Sequence, residues 1–293
     1  MSSAMRWSSI PLKHWIIATL LLALSGCSAL RFTYNQAPLL AYWWLDGYVD
    51  FSGDQTPRVR AALDDYLAWH RGSQLPDYVQ LLQRLQPLAA DRVSPAQVCA
   101  VADDLQRKLE VAYEQAVPAM ADILRSFSPA QLDHLEKRYA RDNQETQRDY
   151  LQADPAERAE AALKRTVERA ESVYGPLDEP QRALLAAGLE ASPFDARIWL
   201  AERRARQHDI LRTLRQLLAE RADAAAWQAA LRAFSAQTTQ SPRADYRAYR
   251  QRLFEANCAL SAQLHNNLRP AQRHNAVDKL KGWADDARAL MKP

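Results

Sequence analysis

Apolar positions recur along most of this chain at intervals of three and four, the spacing of one helix face. Val98, Ala102, Leu105 and Leu109 share such a face, and so do Tyr246, Tyr249, Leu253, Leu260 and Leu264. The pattern predicts helices near 38–50, 55–70, 76–91, 95–126, 129–152, 155–174, 179–191, 194–221, 223–235, 242–267 and 270–291. Pro118 falls inside the fourth and predicts a kink or a break. Gly175-Pro176, Ser192-Pro193 and Ser241-Pro242 mark connections. No long Gly/Ser linker divides the chain. One elongated multi-helix bundle is expected, with a hinge near 175–193.

Several of these helices begin on the same five residues: an apolar residue, a capping residue, two variable positions and Gln. The copies are Phe51-Ser52-Gly53-Asp54-Gln55, Val93-Ser94-Pro95-Ala96-Gln97, Phe127-Ser128-Pro129-Ala130-Gln131, Leu177-Asp178-Glu179-Pro180-Gln181 and Leu268-Arg269-Pro270-Ala271-Gln272. Ser or Asp at the cap accepts from free backbone amides. Pro in the first turn needs no donor there. Gln reaches back to the cap amide, and the apolar leader staples onto the first turn. Arg269 cannot accept, so the last copy predicts a weaker start.

Composition narrows the fold to all-α. The chain has 293 residues, 48% hydrophobic, with only 7 Gly. Ala, Leu, Arg, Gln and Glu dominate, and these favour helix. The net charge of +3 falls to about +1 once Arg6 and Lys13 are removed with a leader. Arg203, Arg204 and Arg206, beside Glu202 and Asp209, read as a solvated salt-laced face. No nucleic-acid partner is expected.

The leader itself is legible. Arg6 and Lys13 precede a short apolar run, 16–24, too short to span a bilayer, which needs about 20 apolar residues. Leu24-Ser25-Gly26-Cys27 then resembles the lipobox of bacterial lipoproteins. That resemblance implies cleavage after Gly26 and diacylation of the Cys27 thiol. It also implies acylation of the new amine, with palmitate-type chains. Chains of this kind hold a protein almost permanently. Ser28 resembles an outer-membrane sorting residue. The expected layout is a signal peptide over 1–26, a lipidated tether over 27–37 and a helical periplasmic domain over 38–293. The expected location is the inner leaflet of the outer membrane. Just behind the tether lie Tyr42, Trp43, Trp44, Tyr48 and Phe51. They are expected to pack onto the helical body, because Asp46 and Asp50 suit lipid headgroups poorly; a surface-lying helix is the alternative.

Two further cysteines remain, Cys99 and Cys258, both in expected helices. In an oxidising periplasm they are expected to pair and staple an N-terminal helix to one near the C-terminus. Two separate buried thiols are the alternative. No Cys-x-x-Cys motif accompanies them.

Two resemblances bear on function. The Phe-Ser-x-x-Gln and Val-Ser-x-x-Gln starts resemble the Leu-Thr-x-x-Gln motif of the Spy and CpxP family, small helical periplasmic proteins with chaperone-like and stress-sensing roles. The match covers about five residues per copy. More of the chain resembles an uncharacterised family of proteobacterial lipoproteins with a domain of unknown function. The lipobox, Tyr34-Asn35-Gln36, Tyr42-Trp43-Trp44-Leu45-Asp46 and Leu135-Glu136-Lys137-Arg138-Tyr139-Ala140-Arg141-Asp142-Asn143 carry that likeness.

Catalytic signatures are absent from the sequence. His70, His134, His208, His265 and His274 show no zinc-helix spacing, and no P-loop, nucleophile elbow or dinucleotide fingerprint occurs. Asp64-Asp65, Asp103-Asp104 and Asp285-Asp286 are adjacent on helices, so they diverge and read as surface charge. No cofactor or metal is expected. The expectation is an envelope protein, tethered to the membrane by its N-terminal lipid, that acts by binding other envelope proteins or unfolded chains, with holdase-like action as the specific form. A structural or assembly factor for one envelope partner is the alternative, and an enzyme acting on cell wall or lipid the third reading. Oligomeric state stays open.

Overall fold

A computed structural model describes residues 30–292. The expected signal peptide, the expected lipobox residues Leu24, Ser25 and Gly26, and Cys27 lie outside the described residues. Eleven helices follow one another, with no strand among the described residues. They are α1 (Ala37–Val49), α2 (Gln55–Trp69), α3 (Leu75–Ala90), α4 (Pro95–Leu124), α5 (Pro129–Tyr150), α6 (Pro155–Tyr174), α7 (Glu179–Glu190), α8 (Ala196–Ala219), α9 (Ala224–Thr239), α10 (Ala244–Asn266) and α11 (Pro270–Leu290). The protein is an elongated all-α bundle.

Capping explains where the helices begin. Ser94, Ser128 and Asp178 each accept from the N–H of the Gln three residues on, and each Gln returns a bond to the cap amide. Asp154, Asp195 and Asp223 cap α6, α8 and α9 through their carboxylates. Arg269 supplies no acceptor, yet its N–H still donates to Gln272 Oε1 at 2.9 Å. Half of that cap survives.

Neighbouring helices pack antiparallel along the bundle. The longest contact runs between α3 and α11, while α4 packs against α9 and α10, α5 against α8, and α6 against α7. Three buried clusters follow. The largest joins Val49, Val117, Phe127, Leu132, Leu214 and Trp227. A second gathers Val167, Leu177, Leu185, Leu264 and Leu268. A third holds Leu75, Val79, Ala287 and Leu290. Fully burying side chains of this kind stabilises the fold by about 1.5–3 kcal/mol each.

Several expectations are corrected. No break separates α2 from α3: a π-helical turn, His70–Gln74, carries the chain through. Such a turn closes an i→i+5 bond, here from the Leu75 N–H to the His70 carbonyl. Pro118 does not split α4, which runs unbroken for 30 residues. Pro118 is exposed, as is Glu114, whose carbonyl loses its helical donor. The loss falls on the exposed side of the helix, while Val117 and Ala121 hold the inner face.

The connection near 175 is fastened. Gly175 ends α6 with a positive φ of 79°. Asn275 donates to the Tyr174 carbonyl at 3.1 Å, and the Leu177 N–H donates to Glu171 at 3.0 Å.

Two carboxylates assigned to the surface are buried. Asp286 is paired with Arg31 at 2.8 Å. Glu202 lies under Ser241, which donates to it at 2.8 Å, and under Arg243 at 2.5 Å. Their partners come from distant parts of the chain, which local charge patterning does not reveal. The helix face beginning at Val98 is only partly covered. Leu105 and Leu109, which share that face, are 47% and 52% exposed.

The aromatic segment divides in two. Tyr42 is buried, its hydroxyl 3.0 Å from Thr56 Oγ1, with the Arg60 guanidinium 4.5 Å above its ring. Phe51 meets Phe127 edge-on, and the Tyr48 hydroxyl donates to Asp142 at 2.5 Å. These three pack onto the body as expected. Trp43 and Trp44 do not; they project from the opposite face. Residues at adjacent helix positions cannot all face one core.

Candidate functional site

The repeated helix starts do more than cap. Four of the five meet in pairs, and the two Gln side chains of each pair bond to one another. Gln131 Nε2 donates to Gln55 Oε1 at 2.7 Å, and Gln55 Nε2 donates to Gln131 Oε1 at 3.3 Å. The remaining amide hydrogens reach the partner start's backbone. Gln55 Nε2 donates to the Ser126 carbonyl at 2.9 Å, and Gln131 Nε2 to the Asp50 carbonyl at 3.0 Å. Both carbonyls belong to the residue just before the apolar leader. Each Oε1 also accepts from its own cap amide, Ser52 or Ser128.

The same arrangement is rebuilt elsewhere. Gln181 and Gln272 exchange bonds of 2.7 and 2.9 Å. Gln181 also donates to the Asn267 carbonyl at 3.0 Å, and Gln272 to the Pro176 carbonyl at 2.7 Å. Again these residues precede the leaders, Leu268 and Leu177, which share one core cluster. All four Gln are buried. Both joints show local two-fold symmetry, and every amide atom is satisfied. Glu at the same position would cap a helix equally well, but it has no N–H to donate. The presence of Gln in all five copies was the sequence signal for pairing, and reading the motif only as a cap missed it.

The fifth start stays open. Ser94 N donates to Gln97 Oε1 at 2.8 Å and Gln97 N to Ser94 Oγ at 3.2 Å, so the cap is complete. Gln97 Nε2 has no partner among the described residues, and 94–97 are exposed. Beside it lies an apolar cleft of about 210 Å³. Leu85, Leu88, Val93, Val98, Val101 and Leu280 form its walls, and Tyr174 and His265 its polar edge. From Val98 and Val101 the apolar row continues outward along α4 to the exposed Leu105 and Leu109. Two ion pairs flank that row, Arg84 with Asp104 at 2.7 Å and Lys108 with Asp77 at 3.8 Å.

The walls of the cleft are fixed from several sides. Cys99 and Cys258 form a disulfide, with Cα atoms 5.4 Å apart, that joins α4 to α10. The Asn266 amide exchanges bonds of 2.9 and 2.8 Å with the N–H and carbonyl of Val93. His265 Nε2 lies 2.7 Å from the Asp91 carbonyl and His265 Nδ1 3.4 Å from the Tyr174 hydroxyl. Burial pushes the His265 pKa below the ordinary imidazole value, and burial raises that of Tyr174.

Of the sequence-derived site residues, Cys99 and Cys258 come together as expected. Among the described residues, no group of three or more His, Cys, Asp or Glu is placed to hold a metal ion. The arrangement offers one backbone-reading donor next to an apolar slot, a pairing suited to a polypeptide.

Fold and site therefore describe an all-helical bundle in which two pairs of helix starts are joined by paired glutamines. The chain belongs to a family of unknown function, DUF6279, whose model matches residues 47–247. No curated protein and no solved structure matches the chain.

Proposed function

We propose that this protein is a lipid-anchored, periplasm-facing envelope protein that acts by binding polypeptide at the open start. One observation carries the reading. The same five-residue start is covered by another protein segment at four places in the molecule, and at the fifth it stands open beside an apolar cleft. A client would copy what the closed pairs do. Its backbone carbonyl would accept from Gln97 Nε2, and the following apolar side chain would enter the slot between Val93 and Val101. Such recognition reads backbone and apolarity and ignores the rest of the sequence, which suits holdase-like action on unfolded chains. The Spy-type likeness of the helix starts points the same way.

The direct test is aggregation of an unfolded client with and without the protein. Suppression at stoichiometric amounts is expected, and it should weaken with Val101→Asp, which charges the slot. No suppression would remove the reading. A dedicated envelope partner is the second reading, favoured by the small size of the slot, which admits only one or two side chains. A photo-crosslinker at Leu105, on the exposed row, separates the two. A broad set of adducts supports client binding, and one dominant adduct supports an assembly factor.

A further inference from the structure

The first helix leaves one face uncovered. Leu39, Leu40, Trp43 and Trp44 form a stripe one turn apart on α1, and all four are exposed, the indoles at 59% and 63%. The opposite face carries Tyr42 and Val49 into the body. No charged residue occurs from Ala37 to Leu45. Asp46, the first acid, is tied to the helix end, where its carboxylate accepts from the Phe51 N–H at 2.9 Å. In the helical stretch 30–35, just upstream, Phe32 extends the apolar surface at 67% exposure. Contiguous exposed aromatic surface of this kind marks an interaction site.

The position of the stripe identifies what covers it. Cys27 lies ten residues before Ala37. Ten residues reach at most about 35 Å even when extended. A lipid on Cys27 would therefore keep the start of α1 within about 35 Å of the bilayer surface. Tryptophan, with an apolar body and one N–H, is favoured at the headgroup boundary. No helix among the described residues is long and apolar enough to cross a membrane, so α1 would lie along the surface.

We propose that Leu39, Leu40, Trp43 and Trp44 rest in the headgroup layer of the membrane that holds Cys27. On this view α1 is a second, non-covalent contact that fixes how the body stands on the lipid. The inference rests on the lipid-tether reading of Cys27.

The test uses the full chain purified from the envelope, with its intact mass measured. It is placed on vesicles of phosphatidylethanolamine and phosphatidylglycerol bearing brominated acyl chains, which quench nearby indoles. The wild-type chain should be quenched. The double variant Trp43→Phe, Trp44→Phe, with unchanged helical content, should lose most of that quenching. Equal quenching in both proteins, with a lipidated Cys27, overturns the inference and leaves the tether standing. An unmodified Cys27 on a chain that does not float with vesicles removes the tether and the inference together. A dimer in detergent that Trp44→Asp dissolves would assign the stripe to a second copy and overturn the proposal.

Discussion

The joint made by Gln55 and Gln131 and the start at Ser94 are built from the same pattern and meet different surroundings. In the first, two caps face each other and both glutamines are buried with every bond satisfied. In the second, the cap closes on itself and the glutamine keeps an unpartnered donor at the edge of a cleft. The contrast separates two roles that one motif combines. The cap starts a helix wherever the motif occurs. The outward-pointing amide joins that start to another segment in four cases, and in the fifth it is left for the partner we propose.

The largest expected effect concerns the frame that holds the open start. The Cys99–Cys258 bond spans a sequence separation of 159, for which loop-closure entropy predicts about 5 kcal/mol as an upper value. Replacing both cysteines by Ser should lower unfolding free energy by an amount approaching this, read by denaturant titration. A loss well under 1 kcal/mol would mean that the other ties already fix α4 to α10.

Gln131→Ala should come next. It strips partners from the buried Gln55 Oε1 and from the Asp50 carbonyl and Ser128 N–H at the half-buried rim of the joint. Orphaned buried groups cost about 1–3 kcal/mol each, and partial rehydration brings the expected total to about 3 kcal/mol. Gln181→Ala should behave alike at the other joint. If either equals Gln97→Ala in effect, the distinction between closed and open starts is wrong.

A smaller effect should appear with pH. Burial lowers the pKa of His70 and of His265 in the folded protein. The unfolded chain therefore binds protons that the folded chain refuses. Stability should be flat above about pH 6.5 and fall as pH drops below it, by at most about 1.4 kcal/mol per pH unit for each histidine. His265→Gln should shallow that slope, leaving the part due to His70. An unchanged slope would contradict the burial of His265.

Gln97→Ala should be the mildest of all for stability, at about 0.5–1 kcal/mol, because only an exposed cap bond is lost. Its effect on binding should be larger than its effect on folding.

Much of this architecture was legible in the sequence. The eleven expected helices are all found among the described residues, because caps at Ser94, Ser128 and Asp178 and prolines in the first turn act through neighbours within four residues. The disulfide was legible from the cysteine count and the oxidising compartment expected from the leader. What could not be read was anything that depends on a distant partner. Glu202 looks like a surface charge until Arg243 arrives from α10's start. Asp286 looks like one until Arg31 does. Pro118 reads as a breaker, and only the exposure of its outer face explains why α4 continues. The Gln pairs lie between: the residue type was visible five times, but the partner of each Gln was not. The cleft beside Gln97 follows from how five elements converge and left no local trace.

The most direct test is to measure affinity for an unfolded client, together with unfolding free energy, for the wild-type chain and Gln97→Ala. The account predicts binding weakened roughly fivefold, the equivalent of one hydrogen bond, with stability reduced by less than about 1 kcal/mol. Unchanged affinity, or a loss that merely tracks destabilisation, would contradict the claim that the open start is where this protein meets its partner.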